Sequence, residues 1–215
     1  MLVENCKNTG EVVCKSSILG TGGILGLLSP DHGGIQIRNC MNTGKISMEN
    51  TGRLGGILGN VDTMKEENNN WIIEDCVNVG TIQYNEGKRP FTKEAKEKVF
   101  ETAKTPEDKT IIIMGGSCMG GIAGQMWGGS IKNCLTTGDV LINEDYAGFI
   151  GAVCGQVFTV GINSEGKGYI FDCKYPDIYP FAAIVPLEIE GDQSVQNTYG
   201  ISKEEAEKLV QEYVR

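Results

Sequence analysis

The stretch NCMNTGKI at Asn39–Ile46 decides the fold, because the chain repeats it. It returns as NCKNTGEV at Asn5–Val12, DCVNVGTI at Asp75–Ile82 and NCLTTGDV at Asn133–Val140, with a worn copy, DCKYPDI, at Asp172–Ile178. A second element follows each of the first four: GGILG at Gly22–Gly26 and at Gly55–Gly59, GGIAG at Gly120–Gly124 and GAVCG at Gly151–Gly155. Self-similarity at this period marks stacked units, each burying its apolar face against its neighbours.

Within one unit, Cys40, Asn42, Gly44, Ile46 and Met48 share one parity, and Met41, Thr43, Lys45 and Ser47 the other. Period-two alternation is a strand signature, with the apolar parity facing inward. Ile35 and Ile37 hold the opposite parity, so a corner is expected at Arg38-Asn39. Inward Asn8, Asn42 and Asn78 suit a turn whose backbone amides need partners. The glycine two residues later is expected to serve a positive φ or a close backbone approach. Three short strands per coil, stacked in parallel, account for the pattern. Five coils at roughly 4.8 Å each would give a rod of about 24 Å.

Composition narrows the function. Net charge is −9, with no Lys/Arg stripe to offset it, which argues against nucleic acid. No run of 18 apolar residues exists, so the sequence contains no membrane-spanning helix. Thirty glycines sit at repeating turn positions and are not low-complexity filler. Five of the eight cysteines, Cys6, Cys40, Cys76, Cys134 and Cys173, occupy one repeat position, 34, 36, 58 and 39 residues apart. They are expected to form a buried ladder of free thiols, since parallel stacking gives poor disulfide geometry. The segment MLVENCKNTG carries neither a charged n-region nor an apolar h-region. It opens inside a repeat, so the chain is expected to belong to a longer protein, its first coil paired with a preceding repeat.

The GILG elements at Gly23–Gly26 and Gly56–Gly59, GIAG at Gly121–Gly124 and the NCxNTGxI lead-in resemble the GLUG-motif repeats of bacterial surface proteins. Such repeats occur beside the catalytic parts of immunoglobulin-A-cleaving metalloendopeptidases and in large gut-bacterial surface proteins. The resemblance covers roughly Val3 to Asp177. It implies a β-solenoid on the exported part of a larger polypeptide, at the cell surface or secreted. It carries over no catalytic residue, because the HExxH of the associated peptidases has no match here. A leucine-rich repeat needs LxxLxL before its Asn, which GGIQIRN lacks.

Two segments depart from the repeat. An excursion spans about 85–110, and TKEAKEKVFETAK at Thr92–Lys104 reads as a helix with Ala95, Val99 and Ala103 on one stripe. The tail ISKEEAEKLVQEYVR reads as a helix with Ser202 and Glu205 as a capping box and Ala206, Leu209, Val210 and Tyr213 on its apolar face. It is expected to lie across the last coil as a cap. The expected architecture is therefore all-β: a right-handed parallel β-helix of about five coils over 1–200, with a helical insertion in the third repeat, and a capping helix over 201–215.

The catalytic inventory is empty. His32 sits in the loop SPDHGG beside Asp31, outside any spaced ligand set. Cys14, Cys118 and Cys154 lie off the ladder without an activating neighbour. A carbohydrate-active β-helix would need carboxylates within roughly 6 Å on one outward sheet, and Asp75, Asp139, Asp145 and Asp172 are the ones to test. Threonines at Thr9, Thr43 and Thr137 form too thin a row, broken by Val79, for an ice-binding face. No catalytic, cofactor-binding or metal-binding residue is assigned. The expected function is a non-catalytic structural or adhesive module, with a glycan or a host or cell-surface protein as its partner. The alternative is a polysaccharide lyase or hydrolase.

Overall fold

The computed structural model describes residues 1–15, 19–29, 34–49, 52–61, 70–85, 117–142, 148–158, 168–184 and 194–213. The helix expected at Thr92–Lys104, the loop holding His32, and Asp145 lie outside them. Every strand pairing among the described residues is parallel, and the strands form five sheets. A parallel solenoid is what the parity predicted.

A complete coil visits all five sheets, so it has five short strands where the alternation alone suggested three. In the second coil these are β6 Ile35–Arg38, β7 Met41–Asn42, β8 Ile46–Glu49, β9 Arg53–Gly55 and β10 Leu58–Val61. Two turns are the reason. The motif turn at Thr43–Lys45 separates β7 from β8, and the glycines of GGILG separate β9 from β10, so two expected strands are each split in two. Each rung hydrogen-bonds the next in matching register; Trp71 pairs with Ile35, and Ile82 with Ile46.

The corner expected at Asn39 is present on every rung. Asn5, Asn39, Asp75, Asn133, Asp172 and Asn197 all have φ between +44° and +56°. Asn and Asp tolerate this left-handed region best among residues with a Cβ, which explains the Asn/Asp alternation of the motif. Asn197 marks a rung that the repeat pattern did not reveal. There Thr198 replaces the ladder cysteine: its Oγ1 donates to the Gln196 carbonyl at 3.0 Å, as Cys40 Sγ donates to that of Arg38 at 3.3 Å. Two sheets accordingly hold six strands, ending in β24 Val195–Gln196 and β25 Tyr199–Ile201.

Asn42 shows what the inward asparagines do. Its Oδ1 accepts the Gly44 amide at 3.2 Å and its Nδ2 donates to the Gly44 carbonyl at 2.9 Å. The same Nδ2 donates to Asn78 Oδ1 at 2.7 Å, and Asn8 Nδ2 donates to Asn42 Oδ1 at 2.7 Å. The glycine of the motif has no positive φ; it is needed for close approach, since a Cβ on Gly44 would strike the Gly10 carbonyl.

This ladder divides the interior in two. Between the sheets of β6 and β10 lies a core of Ile37, Cys40, Leu58, Ile73, Met126 and Ile131, among others. Between those of β8 and β9 lies a second core built on Ile46, Met48, Leu54, Ile82 and Met119. At the waist the second glycine of each GG pair abuts the ladder side chain of the next rung: Gly23 meets Asn42, Gly56 meets Asn78 and Gly121 meets Thr136. The last glycine of the element, Gly59 or Gly124, lets backbone meet backbone across the same bend.

Helix α1, Lys203–Tyr213, starts with the Glu205 amide donating to Ser202 Oγ at 3.2 Å, the N-cap half of the expected box. Its placement differs from the expected cap. Ala206, Leu209, Val210 and Tyr213 pack against Met41, Val77 and Leu135, which point outward from the second, third and fourth rungs. The helix therefore runs back along the flank. An apolar outward row offers it more area than the rim of a single coil, and Lys174 adds an ion pair to Glu205 at 3.9 Å.

Gly56→Ala should lower stability by about 1–3 kcal/mol, because its Cβ meets backbone and a buried amide with no room to relax. Gly10→Ala, whose Cβ has Asn8 Oδ1 as nearest neighbour at 3.8 Å, should change it by less than about 0.5 kcal/mol. Denaturant titration measures both. Ending the chain at Ile201 should bare Met41, Val77 and Leu135, lower the melting temperature and promote self-association in sedimentation; an unaltered monomer would refute the flank contact.

Candidate functional site

The five ladder cysteines are free thiols, and four of them, Cys40, Cys76, Cys134 and Cys173, are buried as expected. Cys6 is exposed, because its rung has a neighbour on one side only among the described residues. Each thiol closes the corner it sits on by donating to the carbonyl two residues back, at 3.2 Å in Cys134 and 3.3 Å in Cys76. Burial pushes the Cys134 thiol well up, with its thiol neighbours Cys173 and Cys76 adding to the effect. Burial likewise pushes Cys154 up. Cys134 and Cys154 are thereby inert packing groups, not nucleophiles.

The other two off-ladder cysteines divide. Cys14 is half-buried. Cys118 is buried, and its Sγ donates to Gln156 Oε1 at 3.1 Å. Gln156 also receives Gln125 Nε2 at 2.7 Å, and Arg53 Nε donates to Gln125 Oε1 at 2.7 Å. This buried amide row ties the sheet of β10 to that of β9. Sequence reasoning missed it, because Asn60, Gln125 and Gln156 align only once the rungs are in register.

The described carboxylates do not gather. Asp75 and Asp172 occupy equivalent corners, with Asn133 stacked between them, and Asp139 lies exposed at the following turn. Asn133 Nδ2 donates to Asp75 Oδ1 at 2.6 Å, and Asn197 Nδ2 to Asp172 Oδ1 at 2.6 Å. These acids are corner residues in a side-chain stack. Among the described residues no group of three His, Cys, Asp or Glu side chains is placed to hold a metal ion. No described helix is long and apolar enough to cross a membrane.

The surface most regular in its chemistry is the outer face of the sheet containing β6. One row along it reads Leu2, Gln36, Ile72, Ser130 and Tyr169; the next reads Glu4, Arg38, Glu74, Lys132 and Phe171. Arg38 Nε lies 2.8 Å from Glu4 Oε1, and Lys132 Nζ sits 5.7 Å above the Phe171 ring. Opposite charges at rung spacing blunt the face electrostatically, each half-exposed pair contributing under about 1 kcal/mol. An open depression of about 680 Å³ crosses the first row at Leu2, Gln36, Ile72 and Ser130. Its lining side chains offer amide, hydroxyl, aromatic and apolar contacts, with no carboxylate, imidazole or thiol among them.

No family model matches the chain, and no curated protein matches it. Among solved structures it is similar to one from Bacteroides ovatus named a putative immunoglobulin A1 protease, with a TM-score of 0.56 and 20% identity. The likeness covers 99% of this chain and 52% of that one, so the chain spans about half the length of that neighbour. At this identity the likeness concerns the fold alone. The class defined is a parallel β-solenoid with a flanking helix.

A thiol reagent under native conditions should modify Cys6 first and Cys14 next, with Cys40, Cys76, Cys118, Cys134, Cys154 and Cys173 reacting only on unfolding. Mass spectrometry of labelled peptides reads the order; rapid modification of Cys76 or Cys134 would contradict the buried ladder.

Proposed function

We propose that this chain is a non-catalytic repeat module of a larger bacterial cell-surface or secreted protein, serving as a stalk or an adhesive surface. The observation that carries the reading is a division of labour among side chains. Asparagine, cysteine and glycine hold the rungs together from inside, while the outer rows of the β6 sheet are left for contact. The depression along Gln36, Ile72 and Ser130 suits a neutral polar ligand such as a glycan, or an extended segment of a host or cell-surface protein. The resemblance to GLUG-motif repeats supports the surface location. The solved neighbour, in which the matched region is about half the chain, supports a module joined to other parts.

Arrays of glycans and of surface proteins, probed with the purified chain, test the reading. Binding should appear without turnover and should fall at least about tenfold in Ile72→Glu, a change at the centre of the face, with the circular dichroism spectrum unaltered. Absence of any ligand would leave the stalk role. Hydrolysis or elimination on a polysaccharide, or cleavage of a peptide, would overturn the non-catalytic assignment in favour of a carbohydrate-active or peptidase role.

A further inference from the structure

The outer face of the β6 sheet has a repeat distance, and that distance sorts its ligands. Gln36, Ile72, Ser130 and Tyr169 are register partners on four successive rungs. Neighbouring rungs stand roughly 4.8 Å apart, so the row from Gln36 to Tyr169 extends about 14 Å along the stack. The residues that follow each of them, Ile37, Ile73, Ile131 and Ile170, are wholly buried. The row is therefore the outward parity of the sheet, held in place by the core beneath it. Gln36 is exposed and the other three are half-buried.

The chemistry of the row alternates. Gln36 offers an amide, Ile72 an apolar patch, Ser130 a hydroxyl and Tyr169 a ring with a polar tip. No charge stands in it. In the row beside it Arg38 is paired with Glu4 at 2.8 Å, and Lys132 sits over the Phe171 ring. Glu74 and Lys132, on adjacent rungs, set opposite charges side by side. A charged ligand of either sign gains no net field from this face. The depression of about 680 Å³ over Gln36, Ile72 and Ser130 is of the size that takes a ligand of several rings.

Geometry separates the remaining classes. An extended peptide carries its same-side chains roughly 6.6 Å apart, so along the stack it falls out of step with the rungs at once. A sheet directs its backbone groups to its own neighbours, as Tyr169 N donates to the Gly129 carbonyl and Ile35 N to that of Asn70. A peptide backbone laid on the face would leave its amides unpaired. A chain of pyranoses joined through equatorial 1,4-linkages behaves differently. It advances by close to one rung spacing per sugar, and it presents apolar ring faces rimmed by hydroxyls.

We propose that this row binds an uncharged, β-1,4-linked glycan lying along the stack, one sugar to a rung over Gln36, Ile72, Ser130 and Tyr169. The proposal rests on the reading of the β6 face as a contact surface, and it narrows the ligand to one class and one orientation.

Calorimetric titration of the purified chain with β-1,4-linked glucose, N-acetylglucosamine and mannose oligosaccharides of two to six sugars tests it. In the series that binds, affinity should rise at least about threefold per sugar up to four, the worth of one modest hydrogen bond, and then level off. Gln36→Ala and Tyr169→Ala, at opposite ends of the row, should each weaken the four-sugar probe by about three- to tenfold, with the circular dichroism spectrum unaltered. For the two-sugar probe no more than one of them should matter. If Tyr169→Ala lowers the melting temperature, Ser130→Ala, two rungs from Gln36, serves in its place. Sensitivity of the four-sugar probe to one end alone, an affinity that ignores length, tighter binding of galacturonate oligomers, or no binding in any of the three series would each overturn the proposal. Binding of a peptide to the row would overturn it too and leave the adhesive module standing. Cleavage of a bound oligosaccharide would instead strike the non-catalytic reading, and the length series would decide the proposal unchanged.

Discussion

The contact between a glycine with no side chain and an asparagine with no freedom organises this molecule. Gly23, Gly56 and Gly121 bring one bend of the coil to the centre, where it meets Asn42, Asn78 and Thr136 of the next rung. Because that contact is between successive rungs, it also sets their register. The asparagine is held by its own turn and by the ladder, so it cannot yield. Any Cβ at the glycine must therefore displace backbone. The two apolar cores lie on either side of this waist, and neither could close if the bend stood further out. Polar side chains at the centre of a small solenoid are thus what lets the apolar ones fill it.

Sequence reasoning reached the parts of this arrangement that are local. The parity around Cys40, the corner at Asn39 and the inward asparagine all follow from alternation and from the needs of a turn. Five strands per coil did not follow, because alternation runs unbroken through the turn after Asn42, and a pair of glycines marks a bend without giving its angle. The rung at Asn197 escaped notice because Thr198 stands where the other rungs have cysteine; its positive φ, strand register and hydrogen bond reveal the equivalence. The flank position of α1 was hidden for a related reason. Met41, Val77 and Leu135 are the outward parity of three separate repeats, and they become a surface only when the rungs are stacked. The candidate face on the β6 sheet is likewise a property of register, invisible in any one repeat.

Variation in repeat length is confined to two of the five junctions. From each of the first four corner residues to the strand after the motif turn, the spacing is constant, as in Asn39–Ile46 and Asp75–Ile82. The bend through the glycine pair is equally constant. Between the third and fourth strands of a coil the gap ranges from Glu49–Arg53 to Asn85–Cys118, and after the fifth strand from Trp127–Ser130 to Phe158–Tyr169. The constant junctions are those whose backbone is tied to the ladder or buried in the bend. At the other two, added chain can leave the coil without disturbing the rungs.

The position of α1 has a mechanical consequence. In a stack each rung is bonded only to its neighbours, so tension between the two ends of the chain uncoils it from the edges. Each rung released frees the 34 residues that separate Cys6 from Cys40, or roughly 110 Å of extended chain. Where α1 lies, that order changes. Pulling must first shear the helix from Met41, Val77 and Leu135, three rungs at once. The helix is therefore a clasp, which keeps the second, third and fourth rungs wound together until it is stripped away.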